Sequence, residues 1–274
     1  MSSVRDDRVL KQTHVLGAFI VPFLLVAFVL LYFWPGDTKD YFAWEIHPDM
    51  TPMIMGAGYI AGAYFFTRVV MEKRFHRVHV GFLPVTSFTI FMAIASFSHL
   101  DRFITENVAF WIWIGLYVTT PILVPLAWIV NRRTDPGTPE PGESPIPSAV
   151  RNALLAAGAL QVGVALFLLI SPSTMIDVWP WMLTPLTAQT LGGWFALPGI
   201  TAIMMGLDGR PSAIQITLQS QVIGLALILV AAARDWGSFD PANDLSYVFV
   251  AGLGALLAGL LALELYMRRL QPPS

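Results

Sequence analysis

Apolar residues run along this chain in long, nearly unbroken windows rather than at the alternating spacing of a half-buried strand. Eight windows reach the ~20 residues a helix needs to cross a bilayer. They are His14–Trp34, Pro52–Met71, Val78–Ser98, Val108–Val130, Ala149–Ile170, Pro185–Leu207, Ala213–Ala233 and Leu245–Met267. Short polar separators between them hold most of the charge. The pattern predicts an all-α fold, a polytopic helical bundle with eight transmembrane helices. Kinks are expected in two windows, at Pro84 in the third and at Pro121 with Pro125 in the fourth. The first window is longer than the ~7–15 apolar residues of a secretory signal, and Trp34-Pro35 follows it instead of a small-residue cleavage site. It is expected to stay as an anchor.

The basic residues orient these spans. Thirteen of the 16 lysines and arginines fall on one set of alternating connections, including Arg5, Arg74, Arg132, Arg210 and Arg268. Only Lys39, Arg102 and Arg234 fall on the other. Basic loops stay on the cytoplasmic side, so the expectation is a multi-pass protein of the cell (plasma or inner) membrane with both termini cytoplasmic.

Shifted against itself by about 134 residues, the chain repeats landmarks in order. Pro35 meets Pro172, Thr51-Pro52 meets Thr184-Pro185, Asp101 meets Asp235, and Arg132-Arg133 meets Arg268-Arg269. Gly58-Tyr59 meets Gly193-Trp194 after a short slip. Four spans per unit is an even number, which predicts two parallel four-helix repeats, 1–131 and 149–274, rather than inverted ones. Between them, residues 132–148, "RRTDPGTPEPGESPIPS", read as a flexible cytoplasmic linker.

Composition changes the picture only by exclusion. Charged residues make up 12% of the chain, against about 25% in a soluble domain, so the bilayer itself is the first partner. A net charge of −2 gives no basic face for nucleic acid. There is no cysteine, which removes disulfides, thiolate metal sites and cysteine nucleophiles.

Candidate chemistry centres on two matching segments, "WEIHPDMTPMIMGAGY" (Trp44–Tyr59) and "DVWPWMLTPLTAQTLGGW" (Asp177–Trp194). Trp44, Trp179 and Trp181 suit headgroup depth, where an amphipathic ring is favoured. Thr51 and Thr184 precede prolines and suit helix N-caps. Gly58 with Gly62, and Gly192 with Ala196, suit close helix packing. A ligand reading of the same segments uses the two helix N-termini, Thr187, Gln189 and Thr190 as hydrogen-bonding groups and the tryptophans as an apolar wall. The candidate ligand-binding residues are therefore Thr51, Thr184, Thr187, Gln189, Trp44, Trp179 and Trp181.

Other polar residues are weaker pointers. Gln161, Gln215, Thr217, Gln219, Ser220 and Gln221 lie within spans, either as interhelical glue or along a polar path. No carboxylate or lysine accompanies them at mid-depth, against an ion-coupled transporter; Glu264 lies close to the basic end of its span. His47, Met50, Met53 and Met55 form a copper-compatible set that the second segment does not keep, and the five histidines all lie near membrane surfaces, against paired haem ligation. No metal and no cofactor is predicted. The sequence favours a non-enzymatic binder or facilitator of a small amphipathic or anionic ligand between the two halves near the outer leaflet. The alternative is a structural or accessory subunit that buries a lipid-facing flank against a protein partner or a second copy; a membrane redox enzyme comes last.

Overall fold

A computed structural model describes residues 5–271. Among these, eight helices are long and apolar enough to cross a membrane. They are α1 (Lys11–Phe33), α2 (Met50–Met71), α3 (Phe82–Ser98), α4 (Val108–Asn131), α5 (Ser148–Ile170), α6 (Pro185–Asp208), α7 (Pro211–Arg234) and α8 (Asp244–Arg269). Their bounds lie within a few residues of the apolar windows, because a helix in lipid must satisfy its whole backbone internally. The exception is the start of α3, where two 3-10 turns, Phe75–Arg77 and His79–Gly81, precede the helix. Pro84 accordingly falls in the first turn of α3, where its missing N–H leaves no bond unmade. Pro121 and Pro125 lie inside α4, which continues unbroken to Asn131.

Helices α2, α3, α6 and α7 form the inner group, and α1, α4, α5 and α8 flank it. The strongest packings are α1 on α2 and α5 on α6, then α3 on α6 and α2 on α7, then α3 on α4 and α7 on α8. Each pair maps onto the next when every helix is exchanged for the one four places along. Two weaker packings have no counterpart: α1 also meets α4, whereas α5 and α8 do not pack together in the same way, and α6 meets α7, whereas α2 and α3 do not.

Close helix approach explains the densest of these packings. A Cβ placed on Gly158 of α5 would lie 2.6 Å from the carbonyl oxygen of Gly199 in α6, and one on Gly192 would lie 3.1 Å from that of Ala165. Gly192 therefore serves the α5–α6 seam, as small residues do in lipid.

The sequence 132–148 is not a loose tether. Its acidic residues tie it across the basic face. Arg210 donates to both oxygens of Asp135 at 2.8 and 2.9 Å. Arg77 donates to both oxygens of Glu140 at 2.7 and 2.9 Å, and His76 bonds Glu140 as well. The Ser212 N–H and hydroxyl both donate to Glu143. Ile146 is buried, and its N–H donates to the carbonyl of Gly209. Composition suggested flexibility, but these ion pairs fasten the segment as a strap over the loops of both halves. The chain before α1 joins it, with Asp7 N–H donating to Thr134 and Asn131 accepting from Thr13 at 2.7 Å.

On the opposite face two asparagines do matching work. Asn107 caps α4 by accepting from the Ala109 N–H, and its amide donates to the carbonyls of Asp40 and Phe42. Asn243 caps α8 by accepting from the Leu245 N–H, and its amide donates to Val178 and Trp179. A lost Asn cap is worth about 1 kcal/mol, and these amides also serve loop carbonyls. Asn107→Ala and Asn243→Ala should therefore each lower stability by about 1–2 kcal/mol, read from unfolding midpoints in detergent.

Candidate functional site

The two tryptophan-bearing segments sit on the face opposite the strap, and their tryptophans are not at the lipid surface. Trp44 is 2% exposed, Trp181 3% and Trp179 9%. Each half folds its loop inward into an aromatic box. In the first, Trp44 meets Trp113 with ring centroids 4.8 Å apart, Phe42 at 5.0 Å and Phe103 at 5.1 Å. In the second, Trp181 meets Phe249 at 5.2 Å, Trp179 at 5.3 Å and Phe239 at 5.1 Å. The headgroup-anchor reading of these three residues is thus corrected. The rings of α4 and α8 and of the preceding loops cover them, and this neighbourhood lies about 70 residues away along the chain.

The polar candidates are engaged by protein. Thr184 caps α6 in a capping box with Thr187, whose hydroxyl accepts from the Thr184 N–H. Thr51 does not cap α2. That helix begins at Met50 after Asp49, and the Thr51 hydroxyl accepts a 2.9 Å bond from the Trp181 indole across the two halves. Gln189 donates to the Leu169 carbonyl and lies 3.1 Å from the His99 ring nitrogen. Thr190 donates back to Leu186 within its helix. The structure joins Thr51 to Trp181 and Thr184 to Thr187, while Trp44 stays in the other aromatic box.

The copper-compatible set is divided. Met50 and Met53 are buried beside Trp179 and Trp181, whereas His47 is half exposed and bonds Glu45 at 3.1 Å. Of the polar residues in α7, Gln215, Gln219 and Ser220 act as glue, to Gln271, to Tyr64 and Glu264, and to the Ala61 carbonyl. Glu264 also accepts from Arg268 at 2.7 Å.

Thr217 and Gln221 differ. Both line a cavity of about 230 Å³ between the halves, walled by α2 and α3 on one side and by α6, α7 and α8 on the other, with Gln161 of α5 also in its lining. Among the described residues, six buried side-chain nitrogens and oxygens have no hydrogen-bond partner, and four belong to residues lining this one cavity. These are the indole nitrogens of Trp179 and Trp194, the Gln221 amide nitrogen and the Thr217 hydroxyl. Each unmet buried donor costs about 1–3 kcal/mol. The lining is otherwise largely apolar, with Phe195, Leu253 and Leu256 among its walls. Gln161 also lines it, the Thr201 and Ser220 hydroxyls are bonded to the Leu197 and Ala61 carbonyls, and no charged side chain is present among the described residues. Leu256 is 45% exposed, and α5 and α8 stand apart on that side, so the cavity reaches the lipid-facing flank there.

No family model, curated protein or solved structure matches this chain. The site's own chemistry therefore carries the functional reading. Trp194 was legible in the sequence only as a counterpart of Tyr59. Its central place depends on Gly58 of α2, whose missing side chain makes room for the indole.

Proposed function

We propose that this multi-pass membrane protein binds a small, neutral, amphipathic molecule in the cavity between its two halves, as a non-enzymatic binder or facilitator. One observation carries this reading: four residues around one largely apolar cavity each hold a buried side-chain donor with no protein partner among the described residues. Two indole N–H groups, an amide and a hydroxyl favour a ligand that presents an acceptor oxygen, while the walls favour an apolar body. Neutral is preferred to anionic because no cationic side chain lines the cavity among the described residues and a lone anion in an apolar site is strongly disfavoured. The cavity takes Trp179 and Trp194 from the second segment that the sequence singled out and extends from there along α7 and α8.

The halves, in this reading, are parallel repeats with the ligand between them. Matched helix packing, matched asparagine caps and matched aromatic boxes support it. The positive-inside rule supports placing the strap and both termini in the cytoplasm of a plasma or inner membrane.

A photoreactive long-chain methyl ketone, compared with the alkane of equal length bearing the same diazirine, tests the proposal on the purified protein. The ketone should label the α8 peptide around Leu253 and Leu256 more than the alkane does, by about five- to tenfold for one hydrogen bond in a dry site. Gln221→Leu should lower that ratio without lowering the unfolding midpoint. Equal labelling by ketone and alkane in the unsubstituted protein would overturn the reading.

A further inference from the structure

A second cavity, of about 340 Å³, lies inside the first half among α1, α2, α3 and α4, with Trp194 and Leu197 of α6 closing its inner wall. Gly58, Gly62, Val85, Trp194 and Leu197 line both cavities, so the two are neighbours separated by the Trp194 indole. Helices α1 and α4 are fastened at their basic-face ends, where Asn131 bonds Thr13 and the Leu10 N–H. Further along, the cavity lies between them, and its rim includes Val26 and Ile112, exposed at 59% and 43%. Those apolar rim residues place its entrance on the lipid-facing flank.

Two buried tyrosines meet on its wall. Tyr59 of α2 and Tyr117 of α4 are both more than nine-tenths buried, and their hydroxyl oxygens lie 2.9 Å apart. Two hydroxyls bring two protons to this contact, and the bond between them uses one. Among the described residues, neither hydroxyl has another hydrogen-bond partner. Of the other polar lining side chains, Trp113 donates to Ser96, Thr120 to the Leu116 carbonyl and Thr89 to the Thr86 carbonyl; Tyr41 lies exposed at the rim, and the buried Trp194 indole nitrogen belongs to the wall shared with the first cavity. The remaining tyrosine proton is the unused hydroxyl donor between α2 and α4.

We infer that the Tyr59–Tyr117 pair is a second binding site, a hydrogen-bond clamp for the carbonyl oxygen of a neutral, lipid-soluble molecule entering between α1 and α4. A chain of two phenols suits that oxygen well. The hydroxyl that accepts from its neighbour becomes a stronger donor to the ligand, because linked hydrogen bonds polarise one another. An anion is disfavoured, since no cation lines the cavity among the described residues; a plain hydrocarbon would fill the walls but leave the proton unmet. This site stands on its own observation and does not require the ligand of the larger inter-half site.

Peptide-resolved photolabelling separates the two sites. The same diazirine-bearing methyl ketone and its alkane counterpart are applied to the full-length protein in mild detergent, and label on the α4 peptide around Ile112 and Leu116 is quantified. The ketone-to-alkane ratio there should be about five- to tenfold. It should fall to near one in the Tyr59→Phe/Tyr117→Phe double variant, while the α8 ratio is retained. The double variant removes both hydroxyls together and leaves no orphan, so its unfolding midpoint should stay within the range of the unsubstituted protein. Thr120→Val, whose hydroxyl already serves the Leu116 carbonyl, should keep the α4 ratio. A ratio near one in the unsubstituted protein, or a ratio retained in the double variant, would overturn the inference. So would its loss in Thr120→Val.

Discussion

Arg210→Met is expected to destabilise the protein by about 3–5 kcal/mol at neutral pH, the usual consequence of removing one member of a buried ion cluster. Arg210 is 6% exposed. Its guanidinium donates to Asp208 at 2.8 and 2.6 Å and to Asp135 at 2.8 and 2.9 Å. One planar fork thus joins the end of α6 to the strap. Without it, two carboxylates remain in a site from which water is largely excluded, with His79 the nearest cation-capable group, 2.7 Å from Asp208. Arg210→Lys should recover only part of the loss, since a point charge cannot serve both carboxylates in the bidentate geometry.

The pH dependence has a definite sign. Burial alone would raise Asp135, but hydrogen bonds from Arg210 and the Gly137 N–H outweigh it, and the carboxyl sits below its ordinary range. Glu140 is held down to about 2, chiefly by the hydrogen bonds from Arg77. Both groups have folded pKa values below their unfolded ones, so the unfolded chain binds more protons as acid is added. The strap's contribution is therefore complete above the ordinary carboxylate pKa near 4.5 and fades as pH falls from there toward 2. In Arg210→Met the deficit should shrink over the upper part of that range, because the stranded carboxylates can then take up protons. Unfolding in mixed micelles at pH 7 and pH 4 measures both effects, and proteolysis within 132–148 reports the strap directly. A loss below about 1 kcal/mol at pH 7 would mean that the cluster is solvated like a surface pair.

The spans were legible because a bilayer imposes one rule on every segment, and that rule leaves a continuous apolar window in the sequence. The strap was not. Asp135, Glu140 and Glu143 have the same composition whether they dangle or are tied, and their partners lie far along the chain, Arg77 and Arg210 in other connections and Ser212 in the first turn of α7. The tryptophans misled for a related reason. An indole at a membrane edge suits lipid headgroups, but Trp44 has Phe42, Phe103 and Trp113 around it instead, and only the return of α4 supplies that box. The asparagine caps were visible but missed. Asn107 and Asn243 are offset by about 136 residues, whereas the Thr-Pro landmarks differ by about 133. A single shift near 134 dilutes both signals, because the connections between them differ in length.

In the cavities, local chemistry was readable and grouping was not: "QSQVIG" announces polar side chains in a span, but not which of them lack a partner. Gln219 reaches Tyr64 and Glu264, while Gln221, two residues on, has no partner for its amide nitrogen among the described residues. The difference is set by what α2 and α8 present to each face of α7, which no window along α7 records.

The same non-local dependence makes Gly58 the most sensitive small residue of the inner wall. A Cβ added there would lie 2.0 Å from the Trp194 ring. That ring is packed 4.4 Å from Phe88 and 5.1 Å from Tyr59 between ring centroids, so it can yield only toward the cavities it lines and at the cost of those contacts. Gly58→Ala is therefore expected to lower stability by about 1–3 kcal/mol through overpacking, even though alanine is the better helix former by about 1 kcal/mol. Trp194→Ala alone should cost about 3–5 kcal/mol, as removal of a large buried ring does. In the Trp194→Ala background, however, Gly58→Ala should become neutral or mildly stabilising, because the atoms it strikes are gone and only the helix preference remains. The double-mutant cycle thus predicts a coupling of about 1–3 kcal/mol whose sign reverses the effect of the alanine. Additive losses would show that Gly58 is needed for some other contact, and that Trp194 does not hold the wall between the two cavities.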